Sequence, residues 1–460
     1  MTSPVLTFLG AAGTVTGSRF VVDSDQGRLM VDAGLYQGLP ELRRRNWEDF
    51  PVDPTTIDAV VLTHAHLDHC GYLPKLVREG FAGRILCTRE TAQLATIVLR
   101  DSAHLQEEDA RYANERGFSK HAPALPLYDD ADVEKTLPLF TLIEFGTRTE
   151  VAADLHVTLQ PAGHILGSSV ALVEAGGRRA VFSGDLGRAV HPLLRPPADP
   201  SAADVIVVES TYGDRRHPAP DPEVLAGAVR RTIGRGGSVL IPAFAVDRTE
   251  LVLLELHRLL RAGQIPNVPI YVDSPMALAA LEVYRQALRS SSAQLRDEVA
   301  AVHEAVEALD VHQVADVAHS QELNRPRHPC IVISASGMAT GGRVVHHLAD
   351  QLPNPRNCVV LTGYQAAGTR GRQLLEGAKQ LKMHGRYVPV RAEIVDVPDF
   401  SVHADAPELV DWLRRCPTVP DAVYVVHGEP QSADALAELI RDELGWSAIV
   451  PTYGERVRLD

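Results

Sequence analysis

Residues 61–74 read VLTHAHLDHCGYLP and place His64, His66, Asp68 and His69 within six positions of one another. Neutral imidazoles and a carboxylate at that density suit a divalent cation such as zinc. The loop follows an apolar run, so it can aim His64 and His66 at one point and Asp68 and His69 at another. That spacing fits two metal sites rather than one. A catalytic zinc takes about four ligands, with one position left for water, so the remaining ligands must come from elsewhere in the chain. PAGHILGSS offers His164, FSGDLG offers Asp185 and VVHGE offers His427, with Asp185 able to bridge the two ions. Asp32 in VDAG is expected to hold a ligating imidazole by its free N–H rather than to bind metal itself.

The elements that must carry these residues alternate between two textures. The first third reads as short apolar strands with tight turns: VLTFLG, SRFVVDS, RLMVDAG and IDAVVLTH, then RILCT and a long polar helical stretch over about 89–116. Strands resume at LHVTLQPAGH, SSVALVEA, RRAVFSGD and ADVIVVEST. Asp32, His64, His164, Asp185 and Glu209 each close such a run, which is where an α/β sheet places its site. From about Pro220 helical patterns alternate with buried strands (GGSVLIPAF, VPIYVDSP, CIVISASG, NCVVLTGY), with a long helical region running to about 318, as in a parallel α/β domain. The last stretch, from RAEIVDVPDFSVHAD to DAVYVVHGE, returns to strands that end in histidine. The expected partition is therefore 1–213, an inserted domain over 214–378, and a returning segment over 379–460.

Bulk composition sets outer bounds. A chain of 460 residues, 45% hydrophobic, is long enough for two or three domains with a large core. No apolar run approaches the roughly 18 residues of a membrane span, and the start has no basic stretch ahead of an apolar core, so a cytoplasmic protein with no membrane partner is expected. Five widely spaced cysteines, none in a C-x-x-C pair, argue against a disulfide framework and against a cysteine zinc site. A net charge of −14 argues against coating nucleic acid by overall basicity, while leaving room for a local basic channel.

Taken in order, VDAG, HAHLDH, PAGHILGSS and FSGDLG resemble the metal-binding motifs of the metallo-β-lactamase superfamily. VVEST (Glu209), FSVHAD (His403) and VVHGE (His427) resemble three further motifs of its β-CASP group, whose members process nucleic acids. IPAFAVDRTELVL, VDSPMA and SASGMATGGRVVHHL are typical of that group's inserted domain, so the resemblance spans essentially the whole chain. It implies an α/β fold, an αββα sandwich with an inserted parallel α/β β-CASP domain. It also implies one zinc on His64, His66, His164 and Asp185 and a second on Asp68, His69, Asp185 and His427, with manganese as the alternative metal. A histidine in the last motif accompanies RNA-processing members and a valine the DNA-repair members, so His427 tilts the expectation to RNA, single-stranded. The chain ends soon after that motif, which resembles the compact bacterial and archaeal ribonucleases related to the endonuclease subunit of mRNA 3′-end processing; a homodimer is common among such relatives.

Two ions about 3.5–4 Å apart can activate a shared water and clamp a phosphate oxygen for in-line displacement. The 3′ oxygen would leave, giving 5′-phosphate and 3′-OH ends. His403 is the candidate for protonating the leaving oxygen or stabilising the phosphate charge, with Glu209 orienting its ring and Asp68 the third candidate catalytic group. In SASGMATGG, Ser334, Ser336, Gly337, Gly341 and Gly342 could present hydroxyls and N–H groups to a phosphate at the start of a helix near Arg343. Ser401 and Arg370 are further phosphate candidates, against the plainer reading of a strand-to-helix turn and solvated arginines. Competing functions are a DNA nuclease of the same group, a thioesterase or lactonase on the same fold, and an RNA-binding scaffold without catalysis. Intact ligands argue against the scaffold.

Overall fold

The computed structural model describes residues 3–117, 121–297, 299, 311–314 and 316–460. Among these no helix is long and apolar enough to cross a membrane. Part of the helical region expected up to about 318 lies outside the described residues. The chain separates into two compact units, one of 1–37, 41–216 and 402–460, the other of 38–40 and 217–401.

The first unit is built on two seven-stranded sheets. In one, the strands run Arg456–Arg458, Val5–Phe8, Phe20–Asp23, Arg28–Val31, Ala59–Val61, Arg84–Cys87 and Phe140–Leu142. Its pairings are antiparallel up to Arg28–Val31 and parallel beyond. The other runs Ala448–Ile449, Ala422–Val426, Val205–Glu209, Arg178–Phe182, Ser169–Ala175, Leu155–Pro161 and Thr149–Ala152, parallel at the first end and antiparallel at the last. Side chains alternate between faces with a period of two. Val205 and Val207 therefore join Leu6, Phe8, Val22, Val31 and Val61 in a core between the sheets, while Ile206 and Val208 turn the other way. There they meet Leu409, Val410, Trp412 and Leu413 of the helix Ala406–Arg414 and Leu436 and Ile440 of the helix Pro430–Leu444. Full burial of such a Leu or Val side chain is worth about 1.5–3 kcal/mol, so this layer holds the returning segment in place. The buried Trp412 keeps its polar end satisfied by donating Nε1–H to Ala198 O at 2.8 Å.

The second unit carries a six-stranded sheet in the order Val311–Gln313, Ile270–Val272, Ile331–Ser334, Val239–Pro242, Cys358–Leu361 and Glu393–Asp396. All its pairings are parallel. Parallel strands need crossovers, and the helices Pro222–Gly234, Arg248–Arg261, Pro275–Arg289 and Arg343–Gln351 alternate with them in sequence. Asp221 and Ser274 cap two of these helices by accepting from the N–H of Glu223 and Ala277.

The return to the first unit comes at Val402, not at 379. Glu393–Asp396, expected to re-enter, instead adds to the second unit's sheet beside Cys358–Leu361, and the hairpin before it belongs to that unit too. A short apolar run states that it is a strand but not which sheet edge will take it.

Candidate metal centre

Most of the residues expected in or around the metal sites lie just past the end of a strand in the first unit, while Asp68 and His69 sit on the short helix Leu67–Cys70 that His66 precedes. Asp32 follows Arg28–Val31, His64 comes three residues after Val61, His164 three after Pro161, Asp185 three after Phe182, and His427 directly after Val426. Two of these positions hold left-handed backbone, Asp32 at φ 56° and His427 at φ 51°. Close approach of the loops requires glycine at Gly34, where a Cβ would stand 1.6 Å from Asp68 O, and at Gly187, where it would stand 1.8 Å from Gly163 O. These two glycines let VDAG meet HAHLDH and FSGDLG meet PAGH.

The side chains converge in two groups, His64, His66, His164 and Asp185 in one, Asp68, His69 and His427 in the other, each with ligand atoms within 4.8 Å. His66 Nδ1 is 3.2 Å from both His64 Nε2 and His164 Nε2. Asp185 Oδ2 is 3.4 Å from His64 Nε2 and 3.6 Å from His164 Nε2. In the second group His69 Nε2 lies 3.2 Å from His427 Nε2, which lies 3.5 Å from Asp68 Oδ2. Asp185 Oδ1 faces this group at 3.3 Å from His69 Nε2 and 3.4 Å from His427 Nδ1. With bonds of about 2.0–2.1 Å, tetrahedral ligand atoms stand about 3.3–3.4 Å from one another, so both groups fit a divalent ion. Asp185 Oδ1 is buried without a hydrogen bond among the described residues, which is costly unless a cation takes that lone pair.

The electrostatics agree. Burial drives the His64 imidazole down to about 3, with His69 adding to the effect, and drives His66 down to about 4. Both are therefore neutral, lone pair free, at physiological pH. Burial works against ionising Asp185, yet His427, His69 and His64 around it hold its carboxyl well below the usual range.

A second layer fixes the rings. Asp32 Oδ2 takes His69 Nδ1 at 2.8 Å and also accepts from the Thr63 hydroxyl at 2.8 Å. Thr63 Oγ1 is in turn 3.1 Å from His64 Nδ1. One carboxylate thus steadies a ring of each group, directly for His69 and through Thr63 for His64. Thr211 Oγ1 stands 3.1 Å from His427 Nδ1 in the same way. Neither threonine was singled out in the sequence, although each adjoins a motif residue, His64 in LTHAH and Glu209 in VVEST. Removing such partners typically costs 10–100-fold in metal affinity. Thr63→Val is expected to weaken binding at the His64 group by about that factor, read by competition with a chromophoric chelator; equal affinity would show that the hydroxyl does not orient the ring.

His403 joins this site with its acid partner. Its Nδ1 is 3.1 Å from Glu209 Oε2 and 3.9 Å from Asp185 Oδ2, and Glu209 is fixed by accepting from Leu186 N–H at 2.6 Å. The segment carrying His403 is held by a bridge of His403 to Gly187 and by Ala404 N–H donating to Leu186 O at 2.8 Å. Tyr212 stands beside it, ring centroids 6.2 Å apart.

The expected phosphate residues belong to the second unit. Ser336, Gly337, Gly341 and Gly342 do form a turn between Ile331–Ser334 and Arg343–Gln351, closed by Ser336 Oγ accepting from Thr340 N–H at 3.0 Å. Ser334 is a correction: it is fully buried and donates its hydroxyl to Asp273 O at 2.9 Å, so it braces the turn and has no proton left for a phosphate. Ser401 is buried with its hydroxyl lacking a partner among the described residues. Arg370 donates to Ala339 O and Thr340 O, steadying the same turn.

Comparison with known proteins gives three family matches along the chain: the metallo-β-lactamase superfamily over 12–230, the Beta-Casp domain over 249–374, and a Zn-dependent metallo-hydrolase RNA specificity domain over 387–451. The chain is 36% identical to Ribonuclease TTHA0252 of Thermus thermophilus, over 97% of this chain and 98% of that protein. It is 30% identical to an RNase J-like protein of Methanocaldococcus jannaschii over 98% of each. It is 31% identical to Transcription termination factor FttA of Pyrococcus horikoshii, over 99% of this chain and 71% of that one. A solved structure from Enterococcus faecalis V583, described as a protein of unknown function, covers 99% of the chain at TM-score 0.53 and 14% identity, a likeness of fold.

Proposed function

Because the chain belongs to the β-CASP group of the metallo-β-lactamase superfamily, we propose that it is a zinc-dependent ribonuclease that hydrolyses single-stranded RNA to 5′-phosphate and 3′-OH ends, in RNA processing or decay. The observation that carries this is the pair of ligand groups, Asp185 belonging to the first and facing His69 and His427 of the second at 3.3 and 3.4 Å, with His403 alongside, 3.9 Å from the same carboxylate. Five imidazoles and two carboxylates favour zinc over magnesium or calcium, which prefer oxygen ligands. When bound, two such ions supply a water of lowered pKa and a clamp for a phosphate oxygen.

The chain's own residues do the rest. Asp185 keeps its charge between the two groups and so sets their separation. Asp32, Thr63 and Thr211 orient the rings that face the ions. Glu209 accepts from His403 Nδ1 and leaves Nε2 to hold the proton for a departing ribose 3′ oxygen. Every candidate ligand comes from one chain, so the reading holds for a monomer and a homodimer alike.

His427 and the relatives' names favour RNA over DNA, and the His403–Glu209 pair favours a phosphodiester over a thioester or lactone. Chelator-free protein offered RNA, the matching DNA, a thioester and a lactone is expected to cut RNA alone at an appreciable rate. Preferential turnover of DNA or of either small ester, with metals bound, would overturn the assignment.

A further inference from the structure

The second unit presents a concentration of positive charge that no part of the candidate metal centre uses. Between Glu376 and Glu393 the chain has no acidic residue for sixteen positions, and it places Lys379, Lys382, Arg386 and Arg391 there. The protein as a whole carries −14, and only five of its basic residues are lysines, two of them in this stretch. All four cations are exposed, and among the described residues none has a carboxylate partner. The stretch itself supplies no anion to pair with them.

The stretch is a two-stranded hairpin, Gln380–Met383 against Arg386–Pro389, closed by His384 and Gly385 at φ 48° and 77°. Two successive left-handed residues make the tight turn that suits right-twisted strands. One face points inward: Leu381, Met383 and Val388 are buried with Val345, Leu348 and Leu374. The other points outward, and on it Lys382 lies directly opposite Tyr387, whose ring is 66% exposed. Cross-strand neighbours of this kind have Cβ atoms about 4.5–5.5 Å apart, so an ammonium and an aromatic face sit side by side.

The hairpin is anchored. His384 stacks on His346 of the helix Arg343–Gln351, centroids 4.3 Å apart. Arg370 donates Nε–H to Lys382 O at 3.4 Å and Nη1–H to Thr340 O at 2.9 Å, linking the hairpin to the glycine-rich turn. Lys382 shares the outward face with Tyr387, while Lys379 and Arg386, which alternate onto the side of Leu381 and Met383, are exposed at the hairpin's margins; cations close to an exposed aromatic ring are the combination that tracks a single-stranded backbone and stacks its bases. An acidic peptide would use the cations but has no base to lay on Tyr387.

We propose that this hairpin of the second unit is a binding site for single-stranded RNA, with Lys379, Lys382 and Arg386 contacting phosphates and Tyr387 stacking a base. It rests on the ribonuclease reading for its choice of polymer. It gives the enzyme a grip on RNA that is independent of the scissile bond and indifferent to sequence.

The test is a binding measurement on the metal-loaded full chain, using a fluorescent phosphorothioate oligoribonucleotide of mixed sequence, which keeps the backbone charge and resists cleavage. Each phosphate contact to a single strand adds about 0.7 to the slope of log K against log salt. The triple variant Lys379→Gln, Lys382→Gln, Arg386→Gln should therefore lose about 2 from that slope. The charge-keeping variant Lys379→Arg, Lys382→Arg, Arg386→Lys should retain it. Tyr387→Ala should weaken binding about tenfold and Tyr387→Phe should not. If wild type binds RNA and the neutralised hairpin binds with the same affinity and slope, the site is refuted while the ribonuclease reading stands. If wild type does not bind RNA at all, the ribonuclease reading itself fails. Should neutralisation leave RNA affinity intact but change the sedimentation coefficient, the hairpin serves a second, acidic copy of this chain and the proposal is overturned.

Discussion

Replacing Asp185 by alanine is expected to be the most damaging single change, lowering bound metal from two ions per chain to fewer than one and RNA cleavage on the order of a thousandfold or more. Among the described residues no other carboxylate faces both ligand groups: its two oxygens stand 3.3–3.6 Å from ring nitrogens of His64, His69, His164 and His427. Without it, Asp68 would be the one carboxylate left among the candidate ligands, beside five imidazoles. Elemental analysis of chelator-free protein reads the stoichiometry. Added zinc should raise the melting temperature of wild type, since a ligand that binds only the folded state stabilises it, and should raise that of Asp185→Ala much less. A variant that kept two ions and near-normal cleavage would remove Asp185 from the bridging role.

His403→Ala should separate chemistry from metal binding. The ring packs against His164, centroids 4.4 Å apart, but turns its Nδ1 to Glu209 at 3.1 Å, so the variant should keep both ions. A general acid contributes about 10²–10⁴ in rate, and kcat should fall by about that factor with a smaller change in KM. Glu209→Gln should act in the same direction and less strongly, because it disturbs the ring's orientation through the 3.1 Å contact without removing the ring. Combining the two should cost little more than His403→Ala alone, since residues acting as one unit are not additive. Loss of metal from His403→Ala, or independent losses from the two changes, would assign the pair a structural task.

The candidate site was legible because its chemistry is dense and most of its residues follow strands. His64, His66, Asp68 and His69 fall in one loop, and His164, Asp185 and His427 each follow a strand whose neighbours are plain from the apolar runs. Thr63 and Thr211 were not legible, because a hydroxyl becomes an orienting group only when the fold sets it about 3 Å from an imidazole, and threonine before a loop is common. Ser334 misled for the converse reason: its place in a glycine-rich turn looks available, and only the packed structure shows its hydroxyl spent on Asp273 O. The textures of the two units were readable from hydrophobic periodicity. The return at Val402 was not, since Glu393–Asp396 could have paired with either unit's strands and the choice depends on which edge was open.

The most direct test of water-driven phosphodiester hydrolysis is to let the metal-loaded protein cut a defined single-stranded RNA in ¹⁸O-enriched water and to weigh the fragments. Attack by water on phosphorus, with the 3′ oxygen leaving, predicts one ¹⁸O in the new 5′-phosphate and an unlabelled 3′-OH on the other fragment. Fragments ending in a 2′,3′-cyclic phosphate, or intact RNA in the presence of two bound ions, would contradict it.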